Sequence, residues 1–176
     1  MKSKHYRWIG VVGAAALVAG LAVVMIAQAR GNDGNQDDIA KIRAATAKFH
    51  DTAVAQSEGW DLRAGLDACF DNPGVGAMGY HYINTDSLMN LWEDVLRPEA
   101  FVYAPGPNGQ RQLGAVEWIV PQGPWDAAGN TMPPMLLGHH FHLDPALGVY
   151  ILHAWIFKEN PAGMFEDWNP KVSCQS

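Results

Sequence analysis

Cysteine is nearly absent. The 176-residue chain has two, Cys69 and Cys174, and no C-x-x-C spacing, which argues against a thiolate metal site. Basic residues are also few, with 12 Lys and Arg against 18 Asp and Glu. Three of the twelve, Lys2, Lys4 and Arg7, fall in the first seven residues, so the chain from Arg30 onward carries a formal charge of −9. An acidic body without a basic patch excludes nucleic acid and anionic lipid surfaces as partners and leaves cations as ligands. No glycine pattern is read as a dinucleotide or P-loop fingerprint. Ser57, Ser87 and Ser173 stand in no nucleophile-elbow context, and no Ser-His-Asp arrangement emerges. No internal repeat marks a solenoid or propeller.

What is present begins at the N-terminus. The basic stretch MKSKHYR precedes an uncharged apolar run, WIGVVGAAALVAGLAVVMIA, from Trp8 to Ala27. Ala27-Gln28-Ala29 then matches an A-x-A cleavage signature. Residues 1–29 read as an export signal. The run is also long enough for a bilayer-spanning segment, so cleavage and retention as an N-terminal anchor both remain open. Either way the positive flank stays inside and the body is expected in the periplasm or outside the cell. RGNDGNQD (30–37) is a polar linker, and one domain is expected over 38–176. In an exported chain two cysteines read as one disulfide, Cys69–Cys174.

The body has an apolar content ordinary for a packed core, 48 % over the whole chain. Asp38 to Gln56 has helical spacing, with Ile39, Ile42, Thr46, Phe49 and Ala53 as the buried stripe. Residues 77–84 read as a strand, 87–95 as a short helix, and 123–135 as a long loop. Two hairpins follow from turn signals: 99–121 around Asn108-Gly109, and 136–158 around DPALG. One helix followed by antiparallel strands predicts an α+β domain, with the N-terminal helix packed on a curved antiparallel sheet or small β-barrel. NTF2-like, cystatin-like and cupin-like layouts all fit.

The chemistry lies in ionisable groups on apolar strand faces. By alternation, Val149, Ile151, His153, Trp155 and Phe157 share one face, and Leu113, Ala115, Glu117 and Ile119 another. His81 shares its face with Gly79 and Ile83. In LLGHHFHLD, His140 and His142 point one way and His139 the other. Pairing across DPALG would bring His142 beside His153. A carboxylate among apolar neighbours needs a cation, a donor or a proton, and one bound cation would account for His81, Glu117, His142 and His153 together. These four are the predicted ligands of one divalent transition metal: zinc, copper, manganese, nickel or iron. His140, Tyr80 and Tyr82 are expected behind them as supporting donors. Each residue also has a plainer reading. His153 could be a hydrogen-bonded core histidine, Glu117 could pair with Arg111 or Arg97 or simply face solvent, and His50 could be a half-exposed helix residue. Met132 and Met135 are weak support for copper. The tail from Glu159 reads as a wrap held at Cys174, with Phe165 and Trp168 as anchors.

The blocks CFDNPGVGAMGYHYIN, AVEWIVP, FHL and LHAWIFKENPAGMFEDWNPKVSC resemble a family of small exported bacterial proteins without an assigned activity. The resemblance spans most of Cys69 to Cys174 and implies that His81, Glu117, His142 and His153 lie inside family motifs. Three functions follow: a metal-binding exported domain, a small-molecule binding module with an aromatic pocket, and a structural cell-envelope domain. No reaction is assigned.

Overall fold

The computed structural model describes residues 35–89, 91 and 94–175. The leader 1–29, most of the linker, and part of the helix expected over 87–95 lie outside the described residues. Ser87–Met89 forms one 3-10 turn. Among the described residues no helix is long and apolar enough to cross a membrane.

The N-terminal helical stretch is broken in two. Helix α1 covers 35–46 and tightens into a 3-10 turn at Ala47–His50. Asp51 then leaves the helical region and caps α2, Thr52–Ser57, by accepting a hydrogen bond from the Ala53 amide. The break resets the phase of the buried stripe. Ile39, Ile42, Thr46 and Phe49 are buried as their spacing requires, but Ala55 takes the place expected for Ala53, which is exposed.

The strands are β1 (Phe70–Asn72), β2 (Gly76–Ile83), β3 (Ala100–Pro105), β4 (Arg111–Pro121), β7 (His142–Asp144) and β8 (Val149–Ala154). They form one curled, fully antiparallel sheet in the order β1-β2-β3-β4-β8-β7. Both predicted hairpins are present, β3–β4 turning at Pro107–Gly109 and β7–β8 at 145–148. The expected loop after β4 holds helix α3 (Gln122–Ala127). Met135–Leu136 (β5) and His139–His140 (β6) pair in a separate two-stranded sheet.

The main sheet buries both faces. One face carries Tyr82, Phe101, Tyr103, Val116, Trp118 and Leu152, packed against Ile39, Ile42, Phe49 and Trp60 from the helical segment and its end. The other carries Val102, Ala115, Ile119, Ile151 and Trp155, covered in part by Trp168 and Val172 from the tail. The tail is organised by two buried asparagines. The Asn160 side chain donates to the Glu166 and Trp168 carbonyls, and Asn169 donates to Glu159. The Asn169 backbone pairs with Ala77 on β2, and Cys174 is bonded to Cys69.

A bulge changes one predicted face. Val102 pairs with Ala115 but Tyr103 pairs with Leu113, so Gly114 is an extra residue on β4. Leu113 therefore joins the helix-covered face and does not share one with Glu117. At the other end of the face-sharing series, Phe157 also packs on the helix-covered side, beyond the end of β8.

Gly74, Gly76 and Gly79 have the G-x-G-x-x-G spacing of a dinucleotide fingerprint. The chain enters a strand there, not a helix, so no helix N-terminus is present to hold a pyrophosphate. Gly79 serves packing instead. Its φ is +113°, and a Cβ would lie 2.4 Å from the Tyr103 carbonyl oxygen. Gly79→Ala is expected to lower unfolding free energy by about 2–4 kcal/mol in urea denaturation. Gly74→Ala, where a Cβ meets open space, should cost about 1 kcal/mol from its positive φ alone.

Candidate metal centre

Three strands place one ionisable side chain each on the tail-covered face. Glu117 on β4 pairs directly with His153 on β8 on one side and with Ala100 on β3 on the other. His81 on β2 pairs with Val102, the next residue of that face on β3. The small Ala100 and Ala115 leave room for the imidazoles and the carboxylate to meet over β3 and β4. One potential ligand atom from each of His81, Glu117 and His153 lies within 4.8 Å of the others. His81 Nε2 is 3.5 Å from His153 Nε2 and 3.7 Å from Glu117 Oε2, and His153 Nε2 is 3.4 Å from Glu117 Oε1. All three residues are buried, at 7 %, 4 % and 0 % exposure in chain order.

Among the described residues no arginine or lysine is seen to compensate the Glu117 carboxylate. Arg111 stacks on the Tyr80 ring and Arg97 on Trp60, so neither takes up the pairing open to it in the sequence. Burial raises the Glu117 carboxyl above the usual carboxylate range, against the pull of His153. Burial, with His153 nearby, pushes His81 down to about 3, so its imidazole is neutral. For His153 burial works downward, but the charge of Glu117 and the hydrogen bond and charge of Asp167 overcome it and raise the imidazole above its ordinary value. Two neutral-capable imidazoles and one carboxylate on rigid neighbouring strands can hold a transition-metal ion. Three protein ligands would also leave coordination positions for water or another molecule.

Asp167, in the irregular tail, is a residue beside the cluster that strand alternation could not find. It lies 3.2 Å from His153 Nδ1, whose N–H it accepts, leaving Nε2 as the atom that faces the cluster. Burial acts to raise the Asp167 carboxyl, but hydrogen bonds and charge from His153 and then His142 hold it below the ordinary value. Its sequence signal is indirect: FEDWNP sets a carboxylate between residues that anchor a covering segment.

His142 shares the predicted face, since it pairs with Ile151, but it does not join the three-residue cluster. It lies at the sheet edge, 49 % exposed, with Nδ1 3.2 Å from Asp167. Asp167 thus stands between His142 and the cluster. Tyr80 and Tyr82 alternate with His81 and so belong to the opposite face, where Tyr82 packs edge-on to Tyr103. They cannot support ligands on the other side of the sheet. His140 is exposed on β6, and His139 stacks on Phe165. His50 meets Phe157 edge-on, away from the cluster.

No protein-family model, curated protein or solved structure matches the chain.

Proposed function

We propose that the protein is an exported domain that binds one divalent transition-metal ion through His81 Nε2, Glu117 and His153 Nε2. The observation that carries this reading is the buried carboxylate. Glu117 sits among apolar side chains with two imidazoles as its nearest partners, so its charge needs a bound cation or a proton on His153. The Asp167–His153 contact supports it, because histidines that bind metal through one nitrogen commonly donate the other N–H to a carboxylate. The Cys69–Cys174 disulfide fits an oxidising compartment and so the export signal in the sequence. Kinship with the exported family belongs to the same reading, and rests on the motif blocks.

The test is a competitive zinc titration of the full chain, made in an exporting host. Wild type should bind one equivalent. Asp167→Asn should raise the dissociation constant about 10–100-fold without unfolding the domain. Equal affinity in the two proteins would remove Asp167 from the account, and no binding in wild type would refute the reading.

A pH dependence follows. In the metal-free protein the raised His153 stabilises the fold while protonated, between two carboxylates. That contribution is present at low pH and is lost as pH rises through the raised value. Bound metal replaces the Nε2 proton and keeps Glu117 compensated. The melting shift produced by zinc should therefore grow from pH 5.5 to pH 8. Thermal melts across that range check it, and a shift that shrinks toward alkaline pH would contradict it.

A further inference from the structure

A cavity of about 250 Å³ opens beside the cluster. His81 and Glu117 form part of its wall, whereas His153 lies behind them, fully buried. The remainder is largely apolar. Phe70, Ile83, Ile119, Val149 and Ile151 come from the sheet or its edge, and Trp168 comes from the tail. An ion on this cluster would face the cavity on the His81–Glu117 side, where its open coordination positions would lie. The ion would be held by one carboxylate and two neutral imidazoles, leaving a positive charge on the coordination sphere itself, which Asp167 offsets only from behind His153. An anionic donor would neutralise it.

The walls restrict the rest of such a donor. The volume is just below that of pockets for drug-sized ligands, so it suits one ring or a short chain. Asp144 also lines the cavity, its Oδ1 accepting from the Ala146 and Leu147 amides of its own turn. A second carboxylate there disfavours a ligand with negative charge at both ends. We propose that the cavity receives a small apolar monoanion, a carboxylate or phenolate on one ring or short chain, whose oxygen completes the coordination of the ion. This rests on the metal-binding reading above.

The experiment loads the full chain with Co(II) and follows its visible spectrum while benzoate, acetate or benzyl alcohol is added. Benzoate should change the cobalt bands at a half-saturating concentration about tenfold or more below that of acetate, because its ring enters the apolar space. Benzyl alcohol, which lacks the anion, should bind more weakly than benzoate. Val149→Trp, which fills the cavity, should keep the cobalt spectrum and lose the preference for benzoate; Leu88→Trp serves the same purpose from another wall should Val149→Trp not fold. Cobalt bound with benzoate no better than acetate would overturn this inference and leave the metal site standing. Benzoate binding equally well to metal-free protein would also overturn it. Failure to bind cobalt at all would remove the metal reading and this one with it.

Discussion

Zinc at about a thousand times its dissociation constant is expected to raise the melting temperature of the metal-free protein by about 10 °C. Binding at that excess stabilises the native state by about 4 kcal/mol. A domain of this size gains about 2–4 °C per kcal/mol. The shift should vanish in His153→Ala, which removes the Nε2 donor and the partner of both Glu117 and Asp167. Because that variant leaves two carboxylates without their shared imidazole, its own melting temperature should also fall. Glu117→Gln separates the two effects. It keeps the side-chain size and removes the buried charge, so the metal-free variant should melt near wild type while losing most of the zinc response. A zinc shift retained in both variants would place the ion elsewhere.

Loss of the disulfide is expected to lower stability by about 4–5 kcal/mol, on the entropic account for a loop of about 100 residues. The bridge joins residues 105 apart in sequence, so it restricts most of the unfolded body. Thermal melts of the Cys69→Ser/Cys174→Ser double variant should therefore show a fall of about 10–20 °C. A fall below about 3 °C would show that the tail is held by its own packing. The loss also has a local side. Cys174 and Trp168 pack on the cluster of Ala77, Met78 and Val102, and Asp167 lies next to Trp168. Loosening the tail should free Asp167 from His153, so the same variant should bind zinc more weakly. Zinc affinity unchanged in a folded double variant would separate the tail anchor from the site.

Much of the site was legible because a strand side chain has only two faces to choose from. His81, Glu117 and His153 stand where alternation demands apolar residues, and neighbouring strands bring them together. The α+β class, the two hairpins and the disulfide were legible from turn residues, periodicity and the cysteine count. The failures have specific causes. The Gly114 bulge shifts register by one residue, which no alternation count can anticipate, and it moved Leu113 across the sheet. Asp51 interrupts a continuous helical period because its side chain satisfies a new helix start. Tyr80 and Tyr82 were legible, since adjacent positions on a strand face opposite sides, and the aromatic YHY triplet obscured that parity. His142 has the predicted face, but its strand ends at the sheet edge, where Asp167 from the tail meets it. Asp167 itself lies in irregular chain, where position follows from the hydrogen bonds of Asn160 and Asn169 and not from any period.

The central claim is that three strands hold one ion between two imidazoles and a carboxylate. Anomalous diffraction at the metal edge, from crystals of the zinc-loaded protein, tests it most directly. The account predicts one strong peak about 2.0–2.2 Å from His81 Nε2, His153 Nε2 and a Glu117 oxygen. A peak on the exposed His139, His140 and His142, or none in the interior, would contradict it.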